Sequence, residues 1–175
     1  MALGSCALVQ GYTLDCRDSL GGLTEVYFIE ASNVTSYTEA SGVITALVKA
    51  AGKRFYKYEL VKGTSSFVEN INSSVENGTI FYQQELTLIL NKLQVNTRNE
   101  ILLLAKNLLD VVAKDNNGNF WYLGLTRGMD VTAGSGQSGT AEGDRSGYTL
   151  TFTGKEPAMA HSVASGVAAV LTTAG

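Results

Sequence analysis

Residues Asn116–Glu156 read NNGNFWYLGLTRGMDVTAGSGQSGTAEGDRSGYTLTFTGKE, two dense strand signals on either side of a glycine-rich segment. Phe120, Trp121 and Tyr122, then Tyr148, Leu150 and Phe152, are the residue types that fill a pleated, half-buried surface. Between them, Ala133–Gly147 is small and polar and supplies no core of its own. Long connections of this kind in a compact domain are functional or unstructured. The expectation is a flexible arm over 133–147 that orders against a neighbouring copy of the same chain. Gly134, Ser135, Gly136, Gln137, Ser138 and Gly139 are then the candidate contacts between subunits or rings.

Working outward, 175 residues are enough for one domain with a real core. A formal charge of −3 argues against avid nucleic-acid binding over the whole surface. Charged residues make up 17% of the chain, against about 25% in typical soluble domains. That deficit points to a surface covered by other subunits. Met1–Tyr12 has no basic n-region, and Cys6–Val9 is too short for the apolar part of a secretory signal. Ala158–Gly175 comes nearest to a membrane span, but its Thr, Ser, Gly and His content spoils it. Cys6 and Cys16 form neither a metal-like pair nor a disulfide framework. The expectation is synthesis in a reducing cytoplasm.

Glu25–Glu30 (EVYFIE) reads as a short strand. Residues 32–53 are small and polar apart from the patch Val43–Val48, and read as an extended loop or loose hairpin. Val43, Ile44 and Leu47 in that patch are further candidate subunit contacts. Tyr56, Tyr58 and Leu60 alternate with Lys57 and Glu59, a half-buried strand. Phe67–Val75 and Ile80–Asn91 are strands joined through the Asn77-Gly78 turn. Thr97-Arg98-Asn99-Glu100 matches a capping box, and Ile101, Leu104, Ala105 and Leu108 follow at helical spacing, which predicts one helix over about 97–107. Leu109–Lys114 and Asn119–Leu123 read as a hairpin, and Tyr148–Gly154 as the last strand. The fold class is mainly β: an antiparallel β-sandwich or barrel with one flanking α-helix, long loops and terminal arms. Strands without alternating helices argue against a βαβ fold. The domain is expected over 1–157, with an N-terminal arm over about 1–22, long loops at 32–53 and 133–147, and a C-terminal extension at 158–175.

No active site emerges. Gly134-Ser135-Gly136-Gln137-Ser138-Gly139 is a literal G-x-G-x-x-G, but a dinucleotide site needs that turn to open a helix, and here the chain goes on into a strand. His161 stands in a small-residue tail without an acidic partner nearby. Cys16 beside Arg17 reads as a small packed residue rather than a reactive thiol. Glu69 and Glu85 on adjacent strands could be imagined as an acid–base pair, and outward-facing charges explain them equally well. Lys49, Lys53, Arg54, Lys57 and Lys62, interleaved with Phe55, Tyr56 and Tyr58, have the composition of a single-strand stacking platform. Strand phase places Tyr56 and Tyr58 with Leu60, on the face that enters the core. The reading is a non-enzyme without metal or cofactor.

Certain short motifs share a family pattern: Phe55-Tyr56-Lys57-Tyr58-Glu59, Ser74-Val75-Glu76-Asn77-Gly78-Thr79, and Gln84-Glu85-Leu86-Thr87-Leu88. Asp115-Asn116-Asn117-Gly118-Asn119 before Trp121 belongs with them, as does Cys16-Arg17-Asp18-Ser19-Leu20-Gly21-Gly22. The most specific is Gly147-Tyr148-Thr149-Leu150-Thr151-Phe152-Thr153-Gly154-Lys155-Glu156-Pro157. On these, Lys53–Glu156 resembles the major tail tube proteins of tailed bacteriophages, particularly those infecting Bacteroidota, and through them the tubes of contractile injection systems. The resemblance implies a β-sandwich or barrel with a flanking helix, in hexameric rings that stack into a hollow tube. It further implies assembly around a tape-measure protein in the host cytoplasm, contact with tail terminator and baseplate proteins, and passage of double-stranded DNA from virion to host. No catalytic residue is carried over. A lumen that passes DNA should not be basic, since a basic wall would hold the phosphates. Glu69 and Glu85, from their outward strand phase, are the candidate lumen-facing residues. The segment Ala158–Gly175 lies outside the motifs and could add a strand to a neighbour. The alternatives are a tube protein of a tailocin or injection system and, from another class, a small nucleic-acid-binding β-barrel.

Overall fold

Eleven strands build two β-sheets packed face to face. A computed structural model describes residue 8 and residues 10–175. The strands are β1 (Leu23–Glu30), β2 (Val34–Ala40), β3 (Val43–Lys49), β4 (Tyr56–Glu59), β5 (Ser66–Ser74) and β6 (Thr79–Asn91). After helix α1 (Val95–Leu104) come β7 (Leu109–Asp115), β8 (Phe120–Leu123), β9 (Asp130–Gln137), β10 (Gly147–Glu156) and β11 (His161–Val163), then the short helix α2 (Ser165–Ala169). One sheet has seven strands in the order β2-β3-β11-β8-β7-β1-β4, and the other four in the order β5-β6-β10-β9. All pairings are antiparallel except β11 with β3. The molecule is mainly β and sandwich-like, with one longer helix and one short one.

Two cores form because β1 and β7 are covered on both faces. Their buried runs, VYFI and LDVVA, apolar but for Asp110, are the signature of strands without a wet side. On one face Val26, Phe28, Val111 and Ala113 meet Leu86, Leu88, Leu150 and Phe152 of the four-stranded sheet, with Leu104 of α1 closing an end. On the other face Tyr27, Ile29, Val112 and Tyr122 pack with Ile44, Phe55, Val163, Val167 and Leu171. The segment expected as a C-terminal extension is therefore part of the second core. Its strand β11 enters this chain's own sheet between β3 and β8 rather than a neighbour's.

Other expectations need correcting. Of the loop or loose hairpin expected over 32–53, the hairpin forms and the loop does not: β2 and β3 meet across Ser41-Gly42, whose φ angles of 53° and 81° suit a primed two-residue turn. The helix spans Val95–Leu104, with Gln94 as its N-cap and no side-chain capping bond, so Thr97 lies inside it and makes no capping box. It ends before 107 because the chain must turn into β7 at Leu109. Leu104 is buried and Ile101 packs on the core, but Ala105 and Leu108 lie beyond the helix and are exposed.

The glycine-rich segment is corrected most. Asp130–Gln137 is an edge strand, with Gly134 opposite Leu150 and Gly136 opposite Tyr148. A Cβ at Gly134 would stand 3.0 Å from Leu150 Cδ2, and one at Gly136 would stand 3.0 Å from Tyr148 Cε1. The two glycines make room for large cross-strand side chains, the use of glycine expected within a strand. Only 138–146 remain outside strands, and that turn is organised by Asp144, which accepts from the amides of Thr140 (2.9 Å) and Ala141 (2.8 Å).

Candidate functional site

The four-stranded sheet has one apolar face, spent on the core, and one face that nothing among the described residues covers. Leu150 and Phe152 point inward, so Thr149, Thr151 and Thr153 point out, next to Ile89, Thr87 and Glu85 of β6. Thr132 and Thr153 share a hydroxyl contact of 2.9 Å across β9 and β10. Cross-strand partners share a face, so Ser135, Ala133 and Asp130 join them from β9, and Ser66, Val68 and Asn70 from β5. Charges are few: Glu85 and Asp130 against Lys155, with Arg127 at one rim. The sheet ends on both sides in strands with a single partner, β5 and β9.

Glu69 and Glu85 fall on opposite faces of this sheet. Glu85 lies across from Val68 on the outer face, while Glu69 lies across from Gln84 on the inner one. Glu69 Oε1 accepts from Gln84 Nε2 (3.0 Å) and from the backbone amide of Ala160 (2.6 Å). Glu69 thus fastens the segment leading to β11 and is no lumen candidate, nor can it pair with Glu85 for acid–base work. Among the apolar contact candidates, Ile44 is fully buried in the second core and Leu47 packs against it, while Val43 is half-buried and pairs with Ser162. Ile44 is therefore a core residue and not a subunit contact. Gly134–Gln137 lie exposed on the β9 edge, with Ser138 and Gly139 in the turn beyond.

The basic cluster disperses. Lys49 Nζ donates to the carbonyls of Val170 (2.8 Å) and Thr173 (2.5 Å), and burial lowers its pKa. Lys57 bridges Glu25 (2.9 Å) and Glu59 (3.1 Å), and these hydrogen bonds raise its pKa. Tyr58 meets Phe28 edge-on in the core, while Tyr56 is exposed beneath Arg54. What is left is no continuous aromatic and basic face. His161 lies opposite Tyr122 in β11, Cys16 is exposed, and Cys6 lies outside the described residues. Among the described residues no group of three or more His, Cys, Asp or Glu side chains gathers as a metal cluster, and no helix is long and apolar enough to cross a membrane.

Sequence reasoning missed one feature, a pair of buried acids. Glu156 accepts from the amides of Thr126 (3.0 Å) and Arg127 (2.8 Å), and Asp110 accepts from the Tyr122 hydroxyl (2.8 Å). Burial pushes the Asp110 pKa up to about 7, the Glu156 charge adds to this, and the Tyr122 bond opposes it. The signal available was an Asp interrupting an apolar strand run. Because the folded pKa lies above the unfolded one, the stabilising contribution is complete below the unfolded value near 3.8 and is lost as pH rises through 7. In urea titrations Asp110→Asn should gain on the wild type between pH 4 and pH 8, by up to about 4 kcal/mol. A pH-independent difference would contradict this.

Neither a protein-family model, nor a curated protein, nor a solved structure matches the chain.

Proposed function

We propose that this chain is the subunit of a hollow tube, built as hexameric rings that stack, of the tail-tube kind its motifs resemble. The observation that carries the reading is the four-stranded sheet with an uncovered polar face between two unpaired edges. An open edge is a template for pairing, and natural proteins cover it or blunt it. Joining β5 of one copy to β9 of the next removes both edges and closes the sheets into a ring by a head-to-tail contact. The threonine-, serine- and amide-rich face then lines the channel. With few charges of both signs, it offers passing DNA no basic wall to bind. In this reading the protein is a structural component of a virion, assembled in the bacterial cytoplasm around a tape-measure protein, with terminator and baseplate proteins at its ends. A tailocin or injection-system tube uses the same surfaces. The dispersal of the lysines leaves the nucleic-acid-binding barrel without its platform.

Ala133→Lys/Ser135→Lys tests the edge. Lysines on an edge strand block pairing, and both positions are exposed. The variant should keep the wild-type melting temperature within a few degrees and lose the fast-sedimenting species in ultracentrifugation. Unchanged assembly would refute pairing through β9.

A further inference from the structure

The other sheet also ends in a strand with one partner, and a groove runs beside it. Strand β4 has β1 on one side. Along the other lies an open groove of about 550 Å³, walled by Tyr56 and Val61 around β4, by Leu90 and Lys92 at the end of β6, and by Asn96 and Glu100 of α1. Tyr56 and Val61 are 57% and 44% exposed.

The N-terminal arm matches it in chemistry. Up to β1 it has no helix or strand among its described residues, and Leu8, Tyr12 and Leu14 are 99%, 89% and 91% exposed. In an extended chain these even-numbered positions share one side, so the arm has an apolar edge with nothing among the described residues to cover it. Beyond it Asp15, Arg17 and Asp18 supply both signs of charge, to meet Lys92 and Glu100 on the groove walls and Lys62 after Val61.

The root of the arm is fixed at the β7–β8 turn. Leu20 N donates to Asn117 Oδ1 (2.8 Å), and Asn117 Nδ2 donates back to the Leu20 carbonyl (3.0 Å). Asn116 N donates to the Gly22 carbonyl (3.1 Å), and the Asn116 side-chain amide donates to Gly21 O. These asparagines belong to the β7–β8 turn, itself fixed by Asp115 accepting from the amides of Asn117 and Asn119. In the strand order β8-β7-β1-β4 that turn lies on the far side of β1 from β4. The exposed Leu8, Tyr12 and Leu14 line no part of this chain's own groove, and ten extended residues reach about 33 Å.

We propose that the N-terminal arm of one copy lies as an added strand in the groove beside β4 of a neighbouring copy. This rests on the self-assembly reading and names a second contact for it, distinct from pairing of β5 with β9. Main-chain bonds to the open edge give affinity, and pockets for alternate side chains give register. Each copy then donates an arm and receives one.

Disulfide mapping in the full chain tests this. In a Cys6→Ser background the single remaining cysteine, Cys16, is combined with Val61→Cys, Asn96→Cys or, away from the groove, Ser36→Cys on β2. Mild oxidation should yield intermolecular disulfide-linked peptides that join Cys16 to position 61 or position 96, and few that join it to position 36. Tyr12→Ser/Leu14→Ser should cut the groove cross-links by about tenfold or more, the scale of losing two buried apolar side chains. Rings or tubes that form with Cys16 cross-linked elsewhere, or with the Tyr12/Leu14 variant cross-linking as before, would overturn the arm proposal and leave self-assembly standing. A chain that stays monomeric, without cross-links at any concentration, would overturn both.

Discussion

Phe152→Ala is expected to lower the unfolding free energy by about 4 kcal/mol. Phe152 on β10 is fully buried, and its ring centroid lies 5.0 Å from that of Phe28 on β1. Phe28 in turn meets Tyr58 on β4 edge-on at 5.1 Å. This aromatic contact joins the two sheets at the centre of the sandwich, where the rigid pleat leaves little room to collapse around a void. The melting temperature should fall by roughly 10 °C for a chain of this size. Phe152→Leu, which keeps most of the volume, should cost only about 1.5 kcal/mol. A loss below about 1 kcal/mol for the alanine variant, measured by urea unfolding, would mean that the sheets are not joined there.

Gln84→Leu should cost about 3 kcal/mol although it makes the core more apolar. Gln84 is 1% exposed, accepts from Gly124 N (2.8 Å) and donates to Glu69 (3.0 Å). Leucine would leave a buried amide without an acceptor and remove a charge-assisted bond from Glu69, which also holds Ala160 N. Gln84→Leu and Glu69→Ala should therefore be far from additive, since both loosen one network that reaches the β11 segment. Simple additivity in a double-mutant cycle would contradict this coupling.

What could be read in advance follows from which residues carry a one-sided pattern. Strands β6, β7, β8 and β10 alternate or run apolar against a core, and Asn77-Gly78 and Asn117-Gly118 mark their turns, so the sandwich was legible. Strand β2 is exposed along almost its whole length, so no period of two betrays it; the surviving clue was Ser41-Gly42 between two β-branched runs. Strand β11 is three residues long and is held by its neighbours rather than by its own propensity. Glu69 was misplaced through strand phase, since it shares the inner face with Phe67 two residues before it. Ser74 pairs with Thr79, which sets Glu69 opposite the buried Gln84. Gly134 and Gly136 read as looseness because the large partners that lean over them, Leu150 and Tyr148, lie more than ten residues away in sequence.

In the tube proposal the glycine-rich edge strand and its polar sheet face are a pairing surface rather than a flexible arm. Negative-stain electron microscopy of the purified full chain over a wide concentration range, with and without a tail initiator complex, tests this most directly. Six-fold rings with an open centre, stacking into tubes at high concentration or on the initiator, are expected. A strictly monomeric particle under all these conditions would contradict the proposal.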